Sequence, residues 1–238
     1  MTLDDPDDQQ ATANTPNRPA ETTISPLGRA LQKAYLVEIL AGKRETALEM
    51  VIDAFHSGLP ISAIYMEVFQ EVLYEIGWLW ETNQITVADD HMATAITQYV
   101  ISNLYRLMEI SDAHLGKVVM TGVQGELHQI GANMVADVLE ADGWDVQFLG
   151  TNVPPEGIIQ SIRRQETDIL GISSTMFFNI PKVIQLVAAV REEFGERAPR
   201  IILGGGAFRM LPQLPGELAG CNVAHDLREV LDLARRGL

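Results

Sequence analysis

The sequence predicts an N-terminal all-α helical bundle followed by an α/β domain with a doubly wound, five-stranded parallel sheet of the flavodoxin-like or Rossmann-like kind. Three observations lead to this prediction. Apolar residues recur every three or four positions in the first half of the chain, and short apolar runs alternate with helical segments in the second half. The change of pattern falls close to Ser111.

Residues 1–22 carry four aspartates and then Thr, Asn, Pro and Ala without apolar periodicity, which is typical of a disordered acidic tail. Residues 23–112 are predicted to form a helical bundle cap of about four helices, one of which begins after Thr86. Two apolar stripes at helical spacing support this prediction: Leu27, Leu31, Tyr35 and Ile39, and then Ile64, Val68, Val72 and Ile76.

Residues 113–238 contain five short apolar runs, each separated from the next by a helical segment. The predicted strands are 117–123, 145–149, 168–173, 200–203 and 222–224. A helix is expected to follow the first strand, from about Leu127 to Ala141. Parallel strands joined by helices bind ligands at their carboxyl ends. The candidate site therefore lies in the loops that follow the strands.

The composition excludes several classes of function. The net charge is −15, from 17 basic and 32 acidic side chains. Such a field repels phosphate backbones, so no direct nucleic-acid binding is expected. No apolar run is long enough to cross a bilayer, and the single cysteine, Cys221, cannot form an intrachain disulfide. These features predict a cytoplasmic protein without membrane association, and they leave its oligomeric state open.

The loop after the first predicted strand, Gly125 to Gly131, contains a histidine with the chemistry of a metal ligand. His128 can present one ring nitrogen to a metal while Glu126 accepts the N–H of the other nitrogen. This second contact fixes the tautomer and raises the basicity of the ligand. Gly131 would permit close backbone approach. Taken alone, however, a Glu-x-His sequence more often belongs to a histidine that only hydrogen bonds to a nearby loop.

Small and hydroxyl residues follow two further strands at defined spacings. Forty-one residues separate Gly131 from a Ser-Ser-Thr sequence at 173–175, and another 28 precede the Gly-Gly-Gly sequence at 204–206. All three features fall at one edge of the predicted sheet, where small residues open a slot for a long, narrow group. A run of three glycines alone is typical of a tight turn, so the joint spacing carries the prediction.

This combination resembles the signature of cobalamin-binding (corrinoid-binding) domains: Asp-x-His-x-x-Gly, about 41 residues, Ser-x-Leu, about 27 residues, and Gly-Gly. The resemblance covers residues 117–238. It implies that His128 replaces dimethylbenzimidazole as the lower axial ligand of cobalt and that Glu126 takes the relay position. Two positions depart from the pattern, because Glu126 replaces Asp and Thr175 replaces Leu.

The same resemblance assigns the slot to the displaced nucleotide tail of the cofactor. It implies that Ser173 and Thr175 touch the tail, and that Gly204 and Gly205 leave room for its base. The adenosyl, methyl and hydroxo forms of cobalamin all remain compatible with the sequence.

The helical bundle carries a second pattern, in which nine residues separate Trp80 from Asp90-His91. From the residues alone, such a tryptophan is typical of a core and such an aspartate of a helix start. The pattern also resembles the cap of CarH-type cobalamin-dependent photoreceptor regulators, in which Trp precedes Glu-His by nine residues. That resemblance implies that Trp80 covers the upper face of the corrin and that Asp90 and His91 contact the upper ligand.

Two features distinguish this chain from those photoreceptors. Glu81 stands where they carry a histidine, and no helix-turn-helix domain is expected in the acidic N-terminal residues. Antirepressors resembling AerR share this second feature. The sequence therefore predicts a cobalamin-binding regulatory sensor, whose signal could be light and which controls transcription through a transcription factor or another regulatory protein. The main alternative is the corrinoid carrier protein of a methyltransferase system, and a mutase subunit is a weaker one.

Overall fold

The computed structural model describes residues 24–236, and the tail predicted for residues 1–22 lies outside the described residues. The helical bundle comes first in the chain. Its elements are α1 (Pro26–Leu40), α2 (Arg44–His56), α3 (Ile61–Ala63), a π-helical segment (Ile64–Phe69), α4 (Gln70–Glu81) and α5 (Val87–Tyr105). The π-helical segment joins α3 to α4 without a break, so these three elements form one continuous helix. Together with α1, α2 and α5 it gives a bundle of four helices, in agreement with the predicted number.

Two helices of the bundle, α1 and α5, begin after N-cap residues whose side chains accept backbone N–H groups. The hydroxyl of Ser25 accepts a hydrogen bond from the backbone N–H of Gly28 at 3.0 Å. At α5, Thr86 and Asp89 form a reciprocal capping box, in which each side chain accepts the backbone N–H of the other residue. The helix predicted after Thr86 therefore begins at Val87.

The predicted apolar stripes form the core of the bundle. Of the first stripe, Leu31, Tyr35 and Ile39 are buried, whereas Leu27 in the first turn stays exposed. All four residues of the second stripe are buried. The hydroxyl of Tyr35 donates to the hydroxyl of Thr97 at 3.1 Å, which satisfies the polar end of this core residue.

The α/β domain has a parallel sheet in the order β2-β1-β3-β4-β5. The strands are β1 (Lys117–Gly122), β2 (Asp145–Phe148), β3 (Ile169–Ser173), β4 (Arg200–Gly204) and β5 (Asn222–Val223). The helices are α6 (Ile130–Asp142), α7 (Pro155–Gln165), α8 (Ile180–Phe194), α9 (Gly206–Arg209) and α10 (Leu227–Arg235). The predicted five-stranded flavodoxin-like fold is confirmed. Because the strand order reverses between β1 and β3, a ligand crevice is expected where those two strands end.

One predicted boundary in this domain is wrong. The helix after β1 begins at Ile130 and not at Leu127. The carboxylate of Glu126 accepts the backbone N–H groups of Leu127 and His128, each at 3.0 Å. A side chain that binds these donors turns the chain locally and delays the helix, so residues 127–129 remain in a loop.

Helix α6 joins the bundle to the α/β domain. Its residues Ile130, Met134 and Val138 belong to the same apolar core as the bundle helices. Polar contacts run beside them: the hydroxyl of Tyr65 donates to Asp137 at 2.8 Å, in a buried environment. At the far end of α6, the hydroxyl of Tyr105 donates to Glu140 at 2.8 Å. This helix therefore anchors the cap. No helix within residues 24–236 combines the length and the apolar character that crossing a membrane requires.

Candidate functional site

The histidine after β1 is held by a buried carboxylate. Nδ1 of His128 lies 2.6 Å from Oε1 of Glu126, whose side chain is fully buried, while the histidine side chain is 55% exposed. Because Nδ1 is bound to the carboxylate, Nε2 is the nitrogen left for a ligand. The hydrogen bond to Glu126 raises the pKa of His128, and the negative charges of Glu126 and Asp90 add to this effect.

The second oxygen of Glu126 reaches the loop after β3. Oε2 accepts the backbone N–H groups of Thr175 at 2.9 Å and Met176 at 3.2 Å, and the side-chain amide of Asn179 at 3.1 Å. Burial would raise the pKa of Glu126, but the hydrogen bonds from His128 and from this loop lower it to about 2. The carboxylate is therefore ionised at neutral pH, and it ties together the loops after β1 and β3.

Asn179 is a residue that the sequence did not reveal as part of the site. It is fully buried in the 3₁₀ turn after β3, and its Nδ2 donates to Glu126. Its Oδ1 is buried without a hydrogen-bond partner within the described residues. The sequence feature that could have indicated Asn179 is the glutamate at position 126. It is one methylene longer than the aspartate of the cobalamin-binding signature and can reach a donor on a neighbouring loop.

The ends of three strands lie side by side, as the spacing predicted. Ser173 at the end of β3 pairs with Gly122 on one side and with Gly204 on the other. Gly205 has φ +100°, and a Cβ on it would overlap the carbonyl oxygen of Ser174. Gly205 is therefore required by the close approach of the loops after β3 and β4, a role different from the predicted one of leaving room.

Two other glycines at this edge face more open space. A Cβ on Gly131 would meet no atom within 4 Å, and one on Gly204 would come only into ordinary contact with the carbonyl oxygen of Ala224. The protein itself does not require glycine at these positions. Their small size instead leaves volume beside the strand ends, as a bound group would need.

The predicted cap residues lie in the last turn of α4 and the first turn of α5, and of these Asp90 is close enough for its charge to act on His128. Trp80 is in the last turn of α4 and is 47% exposed. Asp89 makes the capping box of α5, so Asp90 is not used for capping, and its charge acts on His128. His91 is exposed in the same turn. The acidic start of α5 therefore faces the histidine loop.

The loops after β1 and β3 carry exposed apolar side chains. Leu127 is 74% exposed, and Phe177 and Phe178 after β3 are 53% and 64% exposed. The 3₁₀ turn after β3 buries Asn179 and leaves both phenylalanine rings exposed. These exposed side chains are available to contact a ligand or a partner at the carboxyl ends of β1 and β3.

These features fit a corrinoid. A corrin ring supplies four nitrogen ligands to its cobalt, so one imidazole is enough to complete the lower side. The free Nε2 of His128 suits that role, and the exposed Leu127 and Phe177 offer apolar surface to a large ring. The open positions at Gly131 and Gly204 fit an extended tail.

Comparison with known proteins agrees with this chemistry. Residues 116–226 match a family model described as a B12 binding domain, and residues 31–105 match a second model with the same description. The chain is 23% identical to dimethylamine corrinoid protein 1 of Methanosarcina acetivorans over 181 residues, 74% of this chain and 85% of that protein. It is 30% identical to a corrinoid protein of Desulfitobacterium hafniense over 91 residues, 38% of this chain and 42% of that protein.

A solved structure supports the fold. The monomethylamine corrinoid protein of Methanosarcina barkeri superposes with a TM-score of 0.77 and 18% sequence identity. The match covers 89% of this chain and all of that protein. At this identity the likeness concerns the arrangement of cap and α/β domain.

The comparisons also correct the predicted function. The expected light-responsive regulatory sensor of the CarH or AerR kind, with a transcription factor as partner, is wrong, because the similar curated proteins are dimethylamine corrinoid proteins. The pattern from Trp80 to Asp90-His91 misled because acidic residues are common in the first turn of any helix. The matches to both parts of the chain nevertheless bear out the predicted cofactor, cobalamin: residues 31–105 and residues 116–226 each match a model of a B12 binding domain.

Proposed function

We propose that this chain is the corrinoid carrier protein of a methyltransferase system, with a methyltransferase as its partner. A bound corrinoid supplies a cobalt centre that can accept a methyl group and pass it on. The observation that carries the proposal is the Glu126–His128 pair, in which one ring nitrogen is fixed and the other is free. The names of the dimethylamine corrinoid proteins support the methyl-transfer system.

In this proposal Nε2 of His128 would hold the cobalt of the bound corrinoid. Glu126 keeps the proton on Nδ1 and holds the ring in one orientation, because its other oxygen is bound by Thr175, Met176 and Asn179. The imidazole therefore needs little reorganisation when the cofactor binds. A ligand oriented in advance would also hold the cofactor in one position.

The nucleotide tail is proposed to lie along the ends of β3 and β4. Ser173 and Thr175 would line one wall of its slot, and Gly204 would leave space on the other. Gly205 shapes the slot indirectly, since it allows the two loops to touch. Gly131, at the start of α6, leaves space beside the histidine loop.

The bundle is proposed to act as a cap on the upper face of the corrin. Trp80 would lie against the ring and exclude water from it. Asp90 and His91, at the start of α5, would border the upper ligand.

The lower-ligand assignment is tested by absorbance spectroscopy. Purified protein is mixed with hydroxocobalamin and desalted, and we expect it to retain the cofactor with the spectrum of a histidine-bound cobalt. His128→Ala should lose that spectrum, whereas His114→Ala, at an exposed position outside the site, should keep it. An unchanged spectrum in His128→Ala would contradict the assignment.

The carrier role is tested with a labelled methyl group. The cofactor-loaded protein is reduced and incubated with isotopically labelled dimethylamine and a cell extract of its source organism. We expect label on the protein-bound cofactor of the wild type and of His114→Ala, and little on that of His128→Ala. Label that never reaches the wild-type protein, in an extract that consumes the amine, would refute the carrier role.

A further inference from the structure

The cap contacts the α/β domain through regions of different character, and its apolar core includes Leu227 of α10 as well as residues of α6. The contact with α6 is buried and extensive. It includes the apolar side chains of Ile130, Met134 and Val138 and the hydrogen bond from Tyr65 to Asp137. Separation of the cap from α6 would expose this core and remove the hydrogen bond from Tyr65 to the carboxyl group of Asp137. This region therefore holds the cap permanently.

The second region lies at the carboxyl end of β4 and is open to solvent. The guanidinium carbon of Arg209 lies 4.9 Å from the centre of the Tyr74 ring, in a cation–π contact. Arg209 belongs to α9 and Tyr74 to α4, and the tyrosine is 41% exposed. Loss of this contact would uncover little apolar surface, so it can open while the α6 region stays closed.

The α/β side of this contact has a fixed position. Nη2 of Arg209 also donates to the backbone carbonyl of His225 at 2.8 Å, which orients the guanidinium. Helix α9 starts directly after Gly205, whose backbone is packed against Ser174, and the N–H of Ala207 donates to the carbonyl of Ser174 at 3.1 Å. The position of Arg209 is thus fixed by the loops after β3 and β4, which border the proposed slot for the nucleotide tail.

We propose that Arg209 and Tyr74 form a clasp that closes the cap over the cobalamin site, and that the cap opens on this side while α6 serves as the hinge. The clasp lies where α4, which carries Trp80, meets the loop after β4. Its opening would admit the large cofactor between the cap and the strand ends without disturbing the bundle core. This inference rests on cobalamin binding and is independent of methyl transfer.

Hydrogen exchange of the cofactor-free protein tests the clasp directly. In Arg209→Met and Tyr74→Leu, amides of residues 70–81 should exchange about two- to fivefold faster, the factor expected from the loss of an exposed cation–π contact. Amides of α6 should keep their wild-type rates. Tyr74→Phe retains the aromatic ring and should behave as the wild type. Arg228→Met makes the same substitution at an exposed position on α10 and serves as the matched control.

The rate of cobalamin uptake is the second readout. Stopped-flow absorbance should show about two- to fivefold faster uptake of hydroxocobalamin by Arg209→Met and by Tyr74→Leu. The double variant should be no faster than either single variant, since both changes remove one interaction. Additive effects, or equal acceleration of exchange in α4 and α6, would overturn the clasp. If no variant binds cobalamin, the cofactor assignment fails, but the exchange experiment still decides whether the clasp exists.

Discussion

The anionic state of Glu126 makes a quantitative prediction for the variant Glu126→Gln. A carboxyl group whose pKa falls from 4.5 in the unfolded chain to about 2 in the folded protein contributes on the order of 3 kcal/mol of stability when ionised. The amide also introduces two N–H donors at a position where backbone and side-chain donors already converge. We therefore expect the free energy of unfolding at about pH 7 to fall by roughly 3 kcal/mol.

The pH dependence of unfolding distinguishes the loss of the Glu126 charge from poor packing of the glutamine side chain. Because the folded pKa of Glu126 is lowered, its contribution is complete above about pH 4.5 and is lost as the pH falls towards about 2. Urea unfolding of the cofactor-free protein should show the difference between wild type and Glu126→Gln narrowing across this range. Glu49→Gln, at an exposed position on α2, should show little difference at any pH. A pH-independent difference below about 1 kcal/mol would refute the anionic role of Glu126.

Two further predictions concern the hinge and the glycine loop. Burial raises the pKa of Asp137 to about 6, so its favourable contribution is present below about pH 4 and is lost as the pH rises through 6. The free energy of unfolding of the wild type, measured with urea and compared with that of Asp137→Asn, should thus fall by on the order of 3 kcal/mol between about pH 4 and 7. A difference between the two proteins that stays constant with pH would contradict this. Gly205→Ala should lower the thermal midpoint by several degrees, whereas Gly216→Ala, with open space around its Cβ position, should change it little; equal shifts would contradict the close approach at Gly205.

Much of the fold could be predicted because its signals are local. The strands lie within two residues of the predicted positions, since short runs of β-branched residues between helical segments have few other solutions. The delayed start of α6 was missed because it depends on a side chain, Glu126, that binds the next two backbone amides. Sequence periodicity carries no information about such a contact.

The contact between Glu126 and His128 could also be predicted, whereas the other residues that hold Glu126, and the function of the protein, could not. His128 and Glu126 are two residues apart, so their pairing is visible in the sequence. Asn179 is 53 residues from Glu126 and joins it only because β1 and β3 are neighbours in the sheet. The function was misjudged from three cap residues at the exposed end of two helices, where similar residue types serve different purposes.

The glutamate at position 126 has a consequence for how the lower ligand is positioned. One oxygen of its carboxylate binds His128 in the loop after β1, and the other binds Thr175 and Met176 in the loop after β3. These loops are held in register by the pairing of Gly122 with Ser173. Any shift between the two strands would therefore move the carboxylate and rotate the imidazole with it. It follows that the orientation of the proposed cobalt ligand depends on the packing of β1 against β3, and that a substitution which loosens this packing should alter the cobalt spectrum before it unfolds the domain.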